Sequence, residues 1–146
     1  MVYLTDKEKE VLKNKRLKTS VENDFSWYKE DIFILLWCLG SIDYCMPYEV
    51  LEEIDISDFY DMILADKKYQ DFLKNNKLIN EKEIYKICDF YYYISWSLKN
   101  KNRYSRIFKK FLNKEKYNIS VVLERRKALE WVVDCTLSWD DISLDT

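Results

Sequence analysis

The sequence predicts an all-α fold, a compact single-domain bundle of about six to seven helices over residues 1–146 with an ordered, acidic C-terminal tail. Gly and Pro occur once each in 146 residues, which leaves few glycine- or proline-built turns. Apolar residues recur at helical spacing along most of the chain. Hydrophobic residues make up 48% and charged residues 34% of the chain, a balance typical of globular rather than disordered proteins.

Capping residues predict the first two helices. Thr5 and Glu8 have capping-box spacing, in which each side chain accepts a hydrogen bond from the other residue's backbone N–H. They open a helix within residues 1–25 that we expect to pack only loosely. Ser26 is the predicted N-cap of the second helix, and Gly40 is its predicted C′ residue. Because residues 32–39 are apolar on every side, this helix is expected at the centre of the fold.

Shorter helices are expected in the middle of the chain. Pro47 suits the first position of a short helix that ends near Glu53. Ser57 can cap a helix over residues 58–65, and a further helix is expected over residues 67–75.

Two long helices are predicted in the C-terminal half. Asn80 and Glu83 form a second capping pair, which opens a helix that runs to about Lys99. Either Asn118 or Ser120 starts the last long helix before the tail.

The chain lacks the residues that several kinds of chemistry require. No His occurs, which excludes Ser-His-Asp and Cys-His catalysis and imidazole ligation of zinc. A single glycine cannot build a phosphate-binding loop, which needs several. The four cysteines form no C-x-x-C pair and are expected to be buried thiols. We therefore predict no catalytic residue, no cofactor and no metal, and we favour a protein that is not an enzyme.

The expected location is the cytoplasm. The N-terminal stretch MVYLTDKEKE is charged and lacks the apolar segment of a secretory signal. The longest apolar run, residues 32–39, is far shorter than the roughly 20 residues of a membrane-spanning helix. No membrane span is predicted.

Acidic and basic residues are segregated along the chain. Residues 41–66 contain eight acids and no base, whereas residues 99–116 contain eight bases and one acid. Two solvated helix faces would account for both segments. The acids also form a candidate partner surface: Asp43, Glu49, Glu52, Glu53, Asp55, Asp58 and Asp61.

Each charged segment suggests a class of partner. The acidic surface suits a basic protein, because complementary charge steers encounter and suppresses wrong partners. The basic segment, with an amphipathic helix expected over residues 103–113, would suit nucleic acid or anionic lipid. The whole-chain pI of about 5.4 argues against nucleic acid, since a net negative field repels phosphate. An aromatic content of 16% leaves a homodimer open.

Several charged residues fall on apolar helix faces. At about 100° per residue, Arg125 points inward, whereas Arg126 lies at the border with solvent. Because a buried arginine without a carboxylate is costly, Glu30, Asp89 or a tail carboxylate is expected to pair with Arg125. The candidate polar cluster comprises Glu30, Asp89, Glu124, Arg125, Asp140 and Asp141. A structural role is favoured for it over a ligand or catalytic pocket.

Three segments carry a family resemblance: SWYKEDIFILLWCLG, EIYKICDFYYYISWSLKN and VVLERRKALEWVVDCTLSWDDISLDT. The most specific part is an E-R-x-x-A-L-x-W pattern followed by W-D-D and a closing D-T. From about Ser26 to the C-terminus the chain resembles the bacterial family catalogued as domain of unknown function 4272. The resemblance implies a helical bacterial protein without an established biochemical activity. That family often carries an arginine and a histidine around Trp96, where this chain has Tyr93 and Ser95, so an activity that needs those groups is not expected.

The expected function is that of a non-catalytic cytoplasmic protein-binding module, immunity-like, that docks a basic partner through the acidic surface. The alternative is a small enzyme or ligand sensor that uses Glu30, Asp89 and Arg125. A solvent-connected cavity lined by these groups would favour the alternative. A sealed, mutually hydrogen-bonded cluster would favour a scaffold role.

Overall fold

The computed structural model describes residues 4–13, 26–43, 45–50, 52–59, 69–100 and 117–145, and within these ranges it is helical without strands. The all-α prediction is confirmed. The helices are α1 (Asp6–Lys13), α2 (Tyr28–Cys38), α3 (Tyr69–Asn75), α4 (Glu81–Lys99) and α5 (Ile119–Val133), with 3-10 helices at Pro47–Glu49, Ile56–Phe59 and Trp139–Asp141. The expected basic helix over residues 103–113, and most of the one over residues 58–65, lie outside the described residues. None of the described helices is both long and apolar enough to cross a bilayer.

Side-chain caps open three of the helices. At α1 the Thr5 backbone N–H donates to the Glu8 carboxylate at 2.7 Å, and the Glu8 N–H donates to the Thr5 hydroxyl at 3.3 Å, so the predicted capping box is confirmed. The Asn80 and Asn118 side chains each accept a backbone N–H from two residues further on, at 2.9 Å. Asn118 rather than Ser120 is therefore the N-cap of α5.

Three expected helix boundaries were wrong. Trp27, not Ser26, occupies the N-cap position of α2. Ser57 lies inside a 3-10 helix and donates its N–H to the Asp55 carboxylate at 2.9 Å, so Asp55 organises that turn. The helix at Pro47 is a three-residue 3-10 turn that ends at Glu49, because the carbonyls that would continue it are bonded to a side chain of α5, described below.

Gly40 ends α2 as predicted. Its φ is +70°, a conformation that glycine adopts without steric cost. The Gly40 N–H donates to the Trp37 carbonyl and the Ser41 N–H to the Leu36 carbonyl, both at 2.9 Å. This pair of bonds is a Schellman motif, which satisfies two carbonyls at the helix C-terminus. The chain therefore leaves α2 at a defined angle.

The core forms where α5 packs against both α2 and α4. Ile34 on α2 and Ala128 and Leu129 on α5 are fully buried. Further buried residues come from α4 and from the segment after α2, namely Ile42, Ile54, Phe59, Ile84, Ile87, Tyr91, Ile94 and Leu98. Full burial of one such aliphatic side chain contributes about 1.5–3 kcal/mol, so the α2–α4–α5 interface is the main apolar contribution to folding among the described residues.

The cysteines are buried to different extents. Cys38 is buried, Cys45 and Cys88 are half-buried, and Cys135 is exposed. The expectation of a buried thiol was therefore wrong for Cys135, which follows the end of α5 at Val133. Burial raises the pKa of Cys38 to about 12 and that of Cys88 to about 11, so both thiols are protonated at neutral pH and are poor nucleophiles.

Replacement of Leu129 by Ala tests this core. Because Leu129 is fully buried at the helix interface, Leu129→Ala is expected to lower the free energy of unfolding by about 2–5 kcal/mol. The matched control is Leu73→Ala on α3, where the leucine is exposed, with an expected change within about 0.5 kcal/mol. Urea denaturation measures both. Equal losses in the two variants would contradict this description of the core.

Candidate functional site

Arg125 and Glu30 form a buried ion pair between α5 and α2. The Arg125 Nε lies 2.8 Å from the Glu30 Oε2, and the two side chains are 1% and 0% exposed. Arg125 therefore points inward as predicted. Of the acids considered for it, the structure places Glu30 against the guanidinium.

The rest of the Arg125 guanidinium binds backbone carbonyls of the segment after α2. Its Nη2 donates to the Glu52 carbonyl at 2.9 Å. Its Nη1 donates to the carbonyls of Val50 and Pro47, the latter at 3.4 Å. These carbonyls belong to the residues where a helix was expected, and their bonds to Arg125 replace helical ones. One side chain of α5 therefore determines the path of residues 47–50 and 52.

Four further contacts complete the cluster. The second Glu30 oxygen accepts the Ile54 backbone N–H at 3.0 Å. The Tyr91 hydroxyl of α4 donates to the Pro47 carbonyl at 2.9 Å and accepts from Arg125 at 3.2 Å. The Arg125 guanidinium carbon lies 4.9 Å from the centroid of the Phe33 ring. The cluster is thus sealed and mutually hydrogen-bonded, and it joins α2, α4, α5 and the segment after α2.

Arg126 is also buried, and its predicted position at the border with solvent was wrong. Its side chain is 3% exposed. The Nη1 donates to the Ser95 hydroxyl at 2.9 Å, the Nε to the Glu130 carboxylate at 2.5 Å, and the guanidinium lies 4.8 Å from the centroid of the Tyr92 ring. Arg126 faces α4. A projection of one helix predicts a single buried side, but α5 packs against two helices and therefore has two buried sides.

The other members of the candidate polar cluster do not reach Arg125. Asp89 is exposed on α4, and Glu124 is half-buried on α5. Asp140 and Asp141 are exposed on the 3-10 helix of the tail. The idea that a tail carboxylate shares the Arg125 site was therefore wrong, because Glu30 and the carbonyls already occupy that guanidinium.

The tail is held by an aromatic residue instead. The Trp139 ring packs edge-on against Trp131 of α5 with centroids 5.5 Å apart, and the Lys127 ammonium lies 4.9 Å from the Trp139 centroid. Further along, the Lys99 ammonium donates to the Leu144 carbonyl at 2.6 Å. The tail is therefore attached to α5 through the Trp139 ring and to α4 through the Leu144 carbonyl, while its acids are exposed.

Asp31 is a candidate functional residue that was not predicted from the sequence. It is 3% exposed, and neither carboxyl oxygen has a hydrogen-bond partner. Burial and, to a smaller extent, the charge of Glu124 raise the pKa of Asp31 to about 8, although the charge of Lys127 acts in the opposite direction. A signal was present in the sequence, because Asp31 lies three and seven residues before Ile34 and Cys38, on the same side of the helix as these buried apolar residues. A carboxyl that is neutral at pH 7 and lacks a partner is typical of functional sites.

The residues of the candidate partner surface are exposed. This holds for Asp43, Glu49, Glu52, Glu53, Asp55 and Asp58, whereas Asp61 lies outside the described residues. Glu53 pairs with Lys29 at 2.9 Å, and Glu49 accepts the Met46 N–H at 2.7 Å. An open cavity of about 350 Å³ lies beside this surface and is lined by Met46, Tyr48, Glu83, Lys86, Ile87 and Phe90.

A comparison with protein families identifies the chain. The profile of the family described as "Domain of unknown function (DUF4272)" matches residues 1–142. This chain belongs to the DUF4272 family. No curated protein and no solved structure gives a match.

The structure explains the pattern that carried the resemblance to DUF4272. Within E-R-x-x-A-L-x-W, Arg125 is the buried guanidinium, and Ala128 and Leu129 are the fully buried contacts of α5. Trp131 supports Trp139 of the W-D-D sequence. In this DUF4272 chain the pattern therefore describes the packing of α5 and the attachment of the tail.

The buried ion pair predicts a large stability effect. Arg125→Met would leave Glu30 as an uncompensated buried charge and remove the donors to the carbonyls, so we expect a loss of about 3–5 kcal/mol in unfolding free energy. Lys29→Met is the control, because Lys29 pairs with the exposed Glu53; its expected cost is below about 1 kcal/mol. Urea denaturation monitored by circular dichroism compares them. A cost near that of the control would exclude a central role for Arg125.

The raised pKa of Asp31 predicts a pH dependence. Because the folded chain holds this proton up to about pH 8 while the unfolded group releases it near 3.8, the native state binds more protons between these values. Stability should therefore fall as pH rises through this window, by up to about 1.4 kcal/mol per pH unit from this group.

Asp31→Asn removes that proton linkage and should flatten the decline between pH 5 and pH 8, measured as unfolding free energy at each pH. Asp89→Asn makes the same isosteric change on an exposed carboxyl and should follow the wild-type profile. Identical profiles for Asp31→Asn and the wild-type chain would refute the assignment.

Proposed function

We propose that this chain is a non-catalytic protein-binding module that docks a basic partner protein through the acidic surface between α2 and α3. An immunity-like role, in which the chain covers and neutralises a basic toxin in the cytoplasm, fits this chemistry. The described acids of this surface are all exposed, and no basic residue interrupts residues 41–66. Such a surface raises the rate of encounter with a basic protein.

The observation that carries the proposal is the attachment of this surface to the core. Carbonyls of Pro47, Val50 and Glu52 bind Arg125, and the Ile54 N–H binds Glu30. The acidic residues at positions 49–55 therefore project from a backbone that is held in place before any partner arrives. A preorganised surface loses less conformational entropy on binding, which favours affinity.

The acids divide into two groups by their local contacts. Glu53 pairs with Lys29, Glu49 accepts the Met46 N–H, and Asp55 accepts the Ser57 N–H. Asp43, Glu52 and Asp58 make no side-chain hydrogen bond or ion pair within the described part of the chain. Their charges act on a partner without first breaking an internal contact.

The neighbouring cavity adds an apolar element to the charged surface. Met46, Ile87 and Phe90 line it, with Tyr48 and Lys86 among its more polar residues. Interfaces concentrate binding energy where an apolar or aromatic side chain fills a pocket within a polar rim. The proposed partner therefore combines basic residues with an apolar side chain that enters this cavity.

The alternative function, an enzyme or sensor built on Glu30, Asp89 and Arg125, receives less support from the geometry. Arg125 and Glu30 form hydrogen bonds with each other and with the backbone. Asp89 is exposed on α4. Glu30 and Arg125 do not line the cavity beside the acidic surface. They also do not line a second cavity of about 240 Å³, which lies between the start of α4 and the end of α5. A third possibility is that residues 99–116 bind an anionic surface, and these residues lie mostly outside the described ranges.

Capture of the partner is the first experiment. The tagged chain is co-expressed with basic proteins encoded beside its gene, and we expect one of them to be retained and its toxicity to be suppressed. Failure to retain any basic protein, together with no protection in co-expression, would overturn the proposal.

Charge reversal then tests the surface. Glu52→Lys with Asp58→Lys removes acids without a local contact, and we expect it to slow association by about tenfold or more at low salt, with dissociation little changed. Asp140→Lys with Asp141→Lys makes the same net charge change on the tail and is the control. Stopped-flow or surface-based kinetics measure both. Equal slowing by the two variants would show an effect of net charge rather than of this surface.

A further inference from the structure

Asp31 has a buried carboxyl without a partner. The two oxygens make no hydrogen bond, although the side chain is only 3% exposed. Burial of a polar group without a hydrogen bond costs about 1–3 kcal/mol by protein mutational measures, and buried charge costs more. A buried carboxyl without a hydrogen bond needs a specific explanation, such as a ligand that supplies the missing donor.

The electrostatic environment of Asp31 favours a cation as that ligand. Glu124 of α5 and Glu30 of α2 add negative charge close to Asp31. The Glu30 charge is balanced by Arg125 at 2.8 Å. Asp31 also lies in the first turn of α2, where the helix dipole stabilises the ionised form of a carboxyl.

Lys127 lies near Asp31 but does not bond to it. Its charge acts on Asp31, yet its ammonium lies 4.9 Å from the centroid of the Trp139 ring. The indole face attracts a cation through its quadrupole. Glu124, Lys127 and Trp131 follow one another at i, i+3 and i+7 along one side of α5, and Trp131 supports the Trp139 ring. This side of α5 therefore brings a carboxylate, an ammonium group and an indole ring together near Asp31.

We propose that Asp31, with the negative charge of Glu124, binds a guanidinium or primary ammonium group, and that Lys127 and Trp139 border this site. The ligand is an organic cation, either a free amine or guanidine or an arginine or lysine side chain of a peptide. The site uses residues other than the acidic surface of the proposed function. The cation site and the proposed protein-binding function can therefore be disproved independently of each other.

A bound cation changes the protonation of Asp31. In the ligand-free chain the pKa of Asp31 is about 8 because of burial, so the carboxyl is neutral at pH 7. Glu124, Lys127 and Glu30 act on it electrostatically, and Arg125 balances Glu30. A cation stabilises the ionised form, so binding releases a proton. Apparent affinity should rise by about tenfold per pH unit below pH 8, since only the ionised fraction is competent.

Calorimetric titration tests the site with four probes: ethylguanidinium chloride, n-butylammonium chloride, and blocked tripeptides with a central arginine or lysine. At constant ionic strength we expect saturable binding at pH 7.5 and weaker binding at pH 6.5, by about tenfold. Buffers of different ionisation enthalpy reveal the released proton. Tighter binding of the peptides identifies a protein side chain as the ligand, whereas equal binding identifies a small organic cation; either result supports the site.

Variants separate this site from general charge attraction. Asp31→Asn should weaken binding by about tenfold or more while the chain stays folded, because the carboxyl makes no hydrogen bond to lose. Lys127→Met removes a competing cation and should tighten binding. Asp89→Asn and the Glu52→Lys, Asp58→Lys variant should bind the probes as the wild-type chain does. Absence of saturable binding by all four probes at pH 8, or binding that survives Asp31→Asn, overturns the proposal.

Discussion

A single buried guanidinium organises the described part of this protein. Arg125 must have an anion and several acceptors once it leaves water, because the desolvation of an unpaired charge costs several kcal/mol. Glu30 supplies the anion from α2, Tyr91 an oxygen from α4, and three carbonyls come from the segment after α2. Correct packing of α2, α4 and α5 is therefore a condition for burial of the charge.

This constraint contributes specificity more than net stability. A well-packed apolar cluster of similar volume would stabilise a helical core equally well or better. It would not, however, distinguish one arrangement of the segment after α2 from another, whereas carbonyls at defined positions around a planar guanidinium do. Arg126 applies the same principle to the α4–α5 contact, with Ser95, Glu130 and the Tyr92 ring as its partners. Two adjacent arginines thus orient α5 towards two different neighbours.

Features of this fold could be predicted from the sequence where a few neighbouring residues determine them. Helix caps such as Thr5 and Asn80, and the C′ glycine Gly40, act over a few residues, and the structure has them where the pattern indicated. The inward direction of Arg125 followed from a single-helix projection. The burial of Arg126 did not, because it results from a second neighbouring helix. The early end of the helix at Pro47 could not be predicted either. It depends on hydrogen bonds that backbone carbonyls accept, and the side chains of those residues do not indicate such bonds.

Because backbone groups hold the segment after α2, its side chains can change in evolution. The segment after α2 is held through its carbonyls at Pro47, Val50 and Glu52 and through the Ile54 N–H. Every residue provides such a carbonyl, and every residue except proline provides such an N–H. The outward-facing side chains there, Glu52 and Glu53 among them, can be exchanged with little effect on the backbone that carries them. A lineage could therefore alter the charge and shape of this surface in single steps while the helical frame stays constant. The arrangement resembles that of a variable loop on a conserved scaffold, with the guanidinium of Arg125 as its anchor.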